Sequence, residues 1–282
     1  MPAKAQTYAE LAERSVVQIT GDLTCWLAFL RTVGCNYKYS FRDLVMIYAQ
    51  RPEATACADY DFWKYDMRRF VRAGTSGIAL LRRQGGKNIL TYVFDISDTG
   101  AMPNAVPVHL WEYNDDTYGA TVAARLTKVF GVPSCRSVPE QLIRVALGLA
   151  ETCWHDHKYH VMRALSGSLL EELDEDNLRL RFTRTLAASL SYVLLSRCDL
   201  TVTDCFTQED FQYLGEFNTC LSAAVLGGAV RDCSELVLHQ IERAIRAYHR
   251  TGPQPEAKPQ TPPMPDLSKE TEKPQETEGY QL

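Results

Sequence analysis

The sequence lacks the features that identify several large classes of protein. No apolar stretch among the 282 residues is as long as a membrane-spanning helix requires. The nine cysteines include no Cys-x-x-Cys pair, which argues against the motifs of zinc ribbons and thioredoxin-type redox proteins. His-Glu-x-x-His and Gly-Lys-Ser/Thr are also missing, so the sequence has neither the signature of a zinc protease nor that of a P-loop nucleotide hydrolase.

The cysteines also bear on the cellular compartment. Their number is odd, most lie in apolar surroundings, and residues 1–7 lack the charged-then-apolar layout of a secretory signal. Disulfides persist mainly in oxidising compartments. We therefore expect reduced, buried cysteines in a cytoplasmic protein that does not associate with a membrane. No cofactor and no metal ion is expected.

Charge is unevenly distributed along the chain. Lys and Arg number 30 and Asp and Glu 35, so the net charge is −5 and the chain as a whole is not a basic nucleic-acid-binding protein. Residues 31–92 nevertheless hold 11 basic and 5 acidic residues, a local charge of +6, whereas residues 251–282 hold 3 lysines and 6 acidic residues. Residues 31–92 therefore hold either ordinary solvated arginines or a surface for an anionic partner, and charge alone does not distinguish the two.

Apolar periodicity predicts two helical segments at the start of the chain. Apolar residues recur at three- and four-residue spacing over residues 8–32, with a break near Gly21 and Asp22. Another helix is predicted to begin at Ser40, because Ser40 and Asp43 have the spacing of a capping box. Pro52 is expected to end it.

From Phe70 the period changes to two, which predicts strands. Turns are expected at residues 74–77 and 84–88, so that residues from 70, 78–83 and 89–95 form an antiparallel β-meander. Beyond residue 116 the pattern is helical, over residues 118–130, 139–154, 160–173, 178–197, 208–214 and 233–249. The predicted fold is α+β: N-terminal helices packed on a small antiparallel meander, then a mostly α-helical C-terminal region.

This pattern divides the chain into three parts. Residues 1–115 form the predicted α+β domain and residues 116–250 the helical domain. Residues 251–282 contain seven prolines and many Glu, Lys, Gln and Thr residues. So polar a segment does not bury enough apolar surface to offset its ordering entropy, and we expect a disordered Pro/Glu-rich tail.

Two segments contain residues that could carry chemistry. Residues 153–160 hold a cysteine, an aspartate and three histidines, all possible zinc ligands. His155 and His157 diverge on a helix, whereas His157 and His160 share a face, so surface histidines at a polar helix end are the favoured interpretation. Asp204, Glu209, Asp210 and Glu216 could act as an acid and a base, but Thr207 and Asp210 have capping-box spacing. Neither segment indicates an enzyme.

The basic region interleaves aromatic rings with cations. Proteins that bind single-stranded nucleic acid use cations along the phosphates and rings against unpaired bases. Tyr37, Tyr39 and Trp63 are the candidate stacking rings, and packing in the core is the alternative for Trp63. The full candidate set for DNA binding is Tyr37, Lys38, Tyr39, Arg42, Arg51, Trp63, Lys64, Arg68, Arg69, Arg72, Arg82 and Arg83.

The same region resembles a known family. The motifs are Gln-Arg-Pro-Glu-Ala-Thr-Ala at residues 50–56, Trp63, the spaced Arg69, Val71, Gly74, Gly77 and Ile78, and Val-Phe-Asp-Ile-Ser-Asp-Thr at residues 93–99. In this order they resemble the N-terminal domain of ArdC-like antirestriction proteins. The resemblance implies binding to single-stranded DNA. It also implies a place on mobile elements, such as the helicase- or methylase-bearing proteins of conjugative transposons in Firmicutes.

Two departures from the family pattern matter. The family has a glycine before the arginine matched by Arg69, but this chain has Met67 and Arg68, so no tight turn is expected there. The helices from Leu178 resemble a metallopeptidase domain without its zinc motif, which implies a degenerate domain without protease activity.

The expected function is therefore a non-enzymatic single-stranded DNA-binding protein of a mobile genetic element, related to conjugation or antirestriction. One alternative is a module that recruits helicase, methylase or restriction components, with the Pro-rich tail as a tether. A zinc-dependent hydrolase built on residues 153–160 is the least favoured.

Overall fold

The computed structural model describes residues 2–108, 110–200 and 206–251. The predicted tail beyond Thr251 and Asp204 lie outside the described residues. Within them the chain forms α1 (Pro2–Gly21), α2 (Leu23–Asn36), α3 (Phe41–Gln50), β1 (Cys57–Asp59), β2 (Arg69–Val71), β3 (Ile78–Gln84), β4 (Lys87–Asp95), β5 (Thr99–Ala101), α4 (Asp115–Phe130), α5 (Val138–Ala164), α6 (Glu175–Arg197) and α7 (Cys220–Thr251). The predicted α+β fold is confirmed.

The first helix boundaries lie where the sequence placed them. α1 ends at Gly21, and the Asp22 carboxylate caps α2 by accepting a hydrogen bond from the Cys25 amide at 3.0 Å. Ser40 caps α3 in the same way, accepting from the Asp43 amide at 3.2 Å. Capping hydrogen bonds between residues three positions apart thus fix where α2 and α3 begin.

The main sheet has three antiparallel strands in the order β1-β4-β3. β3 and β4 form a hairpin in which Gln84 pairs with Lys87. The two turn residues, Gly85 and Gly86, both have positive φ, as a tight hairpin turn of this kind requires.

The predicted pairing of the first strand is wrong. β2 does not pair with β3 but forms a separate two-stranded sheet with β5, with Phe70 opposite Gly100. After β4 the chain turns through the 3-10 helix Ile96–Asp98 and returns alongside β2. β2 thus pairs with this returning segment, and the outer edge of β3 has no neighbouring strand among the described residues.

The core has two parts. α1 and α3 pack on the main sheet through a smaller cluster that includes Met46, Ile47 and Leu80. The larger cluster joins α2 to the C-terminal helices, and the Trp26 indole N–H donates to Ser189 of α6 at 2.9 Å. Residues from both sides of position 115 therefore share one core. The division into two domains at that position stays a prediction.

The C-terminal helices are longer than predicted. Residues 139–154 and 160–173 were expected as separate helices, but one helix, α5, runs from Val138 to Ala164 because no proline or glycine interrupts residues 149–164. α7 begins at Cys220, not near 233, since residues 220–232 are mostly small and apolar. Residues 208–214 form short 3-10 turns instead of an α-helix. None of the helices in the described part of the chain combines the length and apolar character that a membrane crossing requires.

Candidate nucleic-acid interface

Two of the three predicted stacking rings lie in the interior. Tyr37 and Trp63 are 4% and 2% exposed. The Tyr37 hydroxyl donates to Glu242 at 2.7 Å, and the Trp63 indole N–H donates to the Phe94 carbonyl at 2.9 Å. Rings this deeply buried offer no open face at the outer surface, so their assignment as exposed stacking rings is wrong. For Trp63, the alternative of a core residue holds.

Tyr39, the third predicted ring, is only partly accessible. Its hydroxyl donates to the Cys57 carbonyl at 2.8 Å, and burial raises its pKa above the ordinary tyrosine value. The hydrogen bond ties the end of α2 and its following turn to β1. The Tyr39 ring thus braces the sheet, and stacking on it would require this contact to open.

Three of the predicted cations neutralise acidic side chains that are buried. Arg51 pairs with Asp98, and Arg82 pairs with Asp43. Both aspartate side chains are less than a tenth exposed. Lys38 lies 3.3 Å from the buried Glu242 carboxylate. The hydrogen bond to Asp98 also raises the pKa of Arg51. The surplus charge of the sequence is thus partly a requirement of the fold.

Arg69 and Arg72 brace the second sheet. The Arg69 Nε donates to the Thr99 hydroxyl at 2.7 Å, and an Arg72 Nη donates to the Ser97 carbonyl at 2.8 Å. Arg72 remains exposed and Arg69 is half-buried. Each therefore keeps donors for an outside ligand, while also holding β2 against residues 97–99.

The remaining predicted cations are Arg42, Lys64, Arg68 and Arg83. None of them has an ion-pair partner among the residues that the structure describes. Lys64 is half-buried, and its ammonium lies 5.5 Å from the Tyr60 ring centroid and 5.1 Å from that of Tyr65. Both distances are within the range of a cation–π contact.

Exposed rings lie around Lys64, and sequence reasoning did not assign them to the site. Tyr60, Phe62 and Tyr65 are 46%, 42% and 63% exposed. Phe62–Asp66 is a π-helical turn, closed by a hydrogen bond from the Met67 amide to the Phe62 carbonyl at 3.1 Å. Trp63 points inward from this turn while its neighbours face solvent. π-helical turns recur at functional sites. Neither the presence of this turn nor the direction in which its side chains point can be recognised in the residue pattern.

Phe70 extends this surface onto β2. It is 47% exposed, and its ring covers Gly100 on the paired strand so closely that a Cβ atom at Gly100 would overlap it. β2 lies against the π-helical turn. We call Tyr60, Phe62, Lys64, Tyr65, Arg68 and Phe70 the exposed patch.

Arg68 has a backbone conformation that glycine favours. Its φ is +53°, in the left-handed region that non-glycine residues seldom adopt. The chain bends at Met67 and enters β2 without a tight turn at Arg68, as expected, and the Arg68 carbonyl accepts from the Met102 amide at 3.1 Å. Arg68 therefore has the backbone conformation typical of the glycine that the family pattern has at this position, although the residue type differs.

The exposed patch carries no excess of positive charge. Three exposed aspartates, Asp59, Asp61 and Asp66, lie in or beside the same turn. The Asp59 carboxylate accepts from the Phe62 amide at 2.7 Å and so helps to set the turn. With two unpaired cations against three carboxylates, the patch is distinguished by exposed rings more than by positive charge.

Comparison with known proteins gives no family. The chain matches no protein-family model, no curated protein and no solved structure. The ArdC resemblance therefore depends on the quoted motifs alone.

Most of those motif residues serve the fold. The Gln50 amide donates to the Ala79 carbonyl and accepts from the Ala79 amide, both at 2.9 Å. Asp95 accepts from the amides of Thr55 and Ala56 at 2.7 and 2.8 Å. These motif residues thus join α3 to β3, and the segment before β1 to β4, while the exposed rings lie outside these contacts.

His157 and His160 of the first candidate segment line a separate cavity, together with Cys153, Asp156, Asp232 and Cys233. His155, His157 and His160 lie along α5, and the described residues contain no group of three His, Cys, Asp or Glu side chains able to hold a metal ion. The Thr207–Asp210 capping box is present, with the Thr207 amide donating to Asp210 at 2.7 Å. Eight cysteines of the described part are unpaired thiols, and Cys205 lies outside it.

Proposed function

We propose that this chain binds single-stranded DNA on the exposed patch. The supporting observation is that Tyr65 on the π-helical turn and Tyr60 just before it both face solvent, with the Lys64 ammonium within 6 Å of each ring centroid. Unpaired bases stack on exposed rings, whereas the bases of a duplex are already stacked on each other. The patch therefore favours single strands over duplexes.

Stacking supplies more of the affinity than charge. Base–aromatic stacking contributes about 1–3 kcal/mol per base, and it tolerates any base because every base has a π face. Each phosphate contact on a single strand contributes about −0.7 to the slope of log affinity against log salt concentration. Lys64 and Arg68 together would give a slope of about −1.4, shallower than that of a long basic groove.

The biological setting follows from the resemblance. The proposed role is that of a non-enzymatic cytoplasmic DNA-binding protein of a mobile genetic element, in conjugation or antirestriction. Recruitment of helicase, methylase or restriction components stays a prediction, because the tail proposed as a tether lies outside the described residues.

An anisotropy titration with a labelled oligothymidine tests the proposal. The wild-type chain should bind the oligothymidine more tightly than a duplex. A Tyr60→Ala/Tyr65→Ala variant should lose about 10- to 100-fold in affinity, the loss expected for one to two stacked bases. Tyr159→Ala is the matched control, since Tyr159 is 76% exposed but lies on α5.

Equal affinities of the wild type and the double variant would overturn the proposal. So would tighter binding of the duplex. A similar loss in Tyr159→Ala would show that any exposed ring matters, and the exposed patch would then have no special role.

A further inference from the structure

A cleft adjoins the exposed patch. It has a volume of about 420 Å³ and lies between the segment of β1 and the π-helical turn on one side and α7 on the other. Phe62, Trp63, Tyr37 and Trp111 line it, together with Lys38 and Arg246. Phe62 belongs to both the exposed patch and the cleft wall, so the two surfaces are continuous.

A hydrogen-bonded chain fixes the polar part of the cleft wall. The Trp111 indole N–H donates to the Tyr37 hydroxyl at 3.2 Å, and that hydroxyl donates to Glu242 at 2.7 Å. Glu242 also accepts from Arg246 at 2.6 Å and from Lys38 at 3.3 Å. Its buried carboxylate therefore orients residues from three separate parts of the chain.

Trp111 is held rigidly. The Arg197 guanidinium lies 3.6 Å from the Trp111 ring centroid, and an Arg197 Nη donates to the Trp111 carbonyl at 2.7 Å. A ring fixed in this way does not have to be ordered when a ligand binds, which lowers the entropic cost of binding.

The charges of the cleft wall suit an anionic ligand. Lys38, Arg197 and Arg246 carry three positive charges against the one negative charge of Glu242. The Lys38 and Arg246 side chains are 58% and 65% exposed, so both keep donors free for solvent or ligand. Aromatic walls with a few convergent polar groups, in a volume of this size, are typical of small-ligand sites.

We propose that the cleft takes one unpaired base of the strand bound on the exposed patch, with its phosphate near Lys38 and Arg246. This inference rests on the proposed function. A flat heterocycle next to a phosphate fits the accessible Phe62 and Trp111 rings of the cleft wall and its net positive charge. A base within a strand and a free nucleotide share that chemistry, so the experiment has an arm for each.

The experiment uses an oligothymidine that carries one 2-aminopurine, whose emission falls when it stacks on a ring. Two variants narrow the cleft from different elements: Ala58→Phe on β1 and Leu110→Trp after β5, both at residues that line it. Leu169→Trp is the matched control, since Leu169 is 67% exposed and lies beyond α5. Circular dichroism checks that each variant is folded, and the second cleft variant serves if the first does not fold.

When the wild type binds the oligonucleotide, the 2-aminopurine emission should fall. Both cleft variants should show a smaller fall in emission. They should also lose about fivefold or more in affinity, the lower end for one base stacked on a ring. Leu169→Trp should behave as the wild type. Unchanged emission and affinity in both cleft variants would overturn the cleft proposal alone.

Two other outcomes separate this inference from the proposed function. If the wild type binds no oligonucleotide, the proposed function fails and this inference fails with it. If thymidine monophosphate binds the wild type but not the cleft variants, while the oligothymidine binds all of them alike, the cleft is a free-nucleotide site and the strand proposal is overturned.

Discussion

Two sets of aromatic rings within one short region have opposite surroundings. Tyr37 and Trp63 are buried, whereas Tyr60 and Tyr65 face solvent. The buried rings have hydrogen-bond partners far along the chain, at Glu242 and Phe94. A tyrosine or tryptophan ring is buried at low cost when its hydroxyl or indole N–H has a hydrogen-bond partner in the protein. Ring content alone therefore says little about which rings a ligand can reach.

The cations divide in the same way. Arg51 and Arg82 each neutralise a buried aspartate, whereas Arg68 and Arg83 are exposed and have no ion pair among the described residues. Charge that looks surplus in the sequence is thus divided between folding and a possible ligand. Substitutions that affect stability and affinity separately can test this division.

The largest expected effect is that of Trp63→Ala. Removing a buried indole should lower the free energy of unfolding by about 3–5 kcal/mol, because a cavity forms and apolar contacts are lost. Tyr65→Ala, at an exposed ring, should change it by less than about 0.5 kcal/mol. Urea denaturation measures both. A Tyr65→Ala loss as large as that of Trp63→Ala would contradict the division into buried and exposed rings.

Arg51→Ala should have the next largest effect. It leaves the Asp98 carboxylate buried without its cation, which should cost about 2–3 kcal/mol of unfolding free energy. Arg83→Ala removes an exposed arginine and should leave stability nearly unchanged. In a double-mutant cycle, Asp98→Ala should recover part of the Arg51→Ala loss. If the two single-variant losses simply add in the double variant, Arg51 and Asp98 do not stabilise each other, which would contradict this prediction.

Asp95 gives the fold a dependence on pH. Burial raises its pKa, but hydrogen bonds from Ser97 and from the Ala56 and Thr55 amides outweigh burial, so its pKa lies below the ordinary aspartate value. The ionised Asp95 carboxylate therefore stabilises the folded state. This stabilisation is fully present above the unfolded-state pKa of Asp95 and is lost as the pH falls through its folded-state pKa.

Replacing Asp95 should therefore flatten the acid limb of the stability profile. Asp95→Asn should lower the free energy of unfolding by about 1–2 kcal/mol at neutral pH, since charge-assisted hydrogen bonds are lost. The difference from wild type should shrink as the pH falls below the ordinary aspartate pKa and through the folded-state pKa of Asp95, because the wild-type carboxyl then also takes up a proton. Urea midpoints measured across this range provide the check, and a constant difference would contradict it.

The smallest expected effect is that of Arg68→Gly. A residue other than glycine in the left-handed region costs about 1–2 kcal/mol of folding free energy. Glycine removes this cost but loses more backbone entropy on folding, so Arg68→Gly should be up to about 1 kcal/mol more stable than the wild type. Arg68→Ala removes the same cation without relieving the backbone. The two variants should bind DNA equally weakly but differ in thermal midpoint; equal midpoints would contradict the strain.

Features determined by a few neighbouring residues could be predicted from the sequence. The break at Gly21, the Ser40 cap and the Gly85–Gly86 hairpin turn all depend on contacts within four residues. The pairing of β2 with β5 and the burial of Tyr37 by Glu242 depend on residues 30 and 205 positions apart. No periodicity records such partners, so the sequence indicates a basic aromatic region but not which of its rings face solvent.

The Gln50 side chain has a consequence for the outer side of the main sheet. β3 is an edge strand, and such a strand offers unpaired main-chain groups to other molecules. By bonding both the amide and the carbonyl of Ala79, Gln50 takes the place of an adjacent strand at that position. The side chain thereby guards the sheet against intermolecular strand addition, the first step of β-aggregation, without adding a strand to the fold.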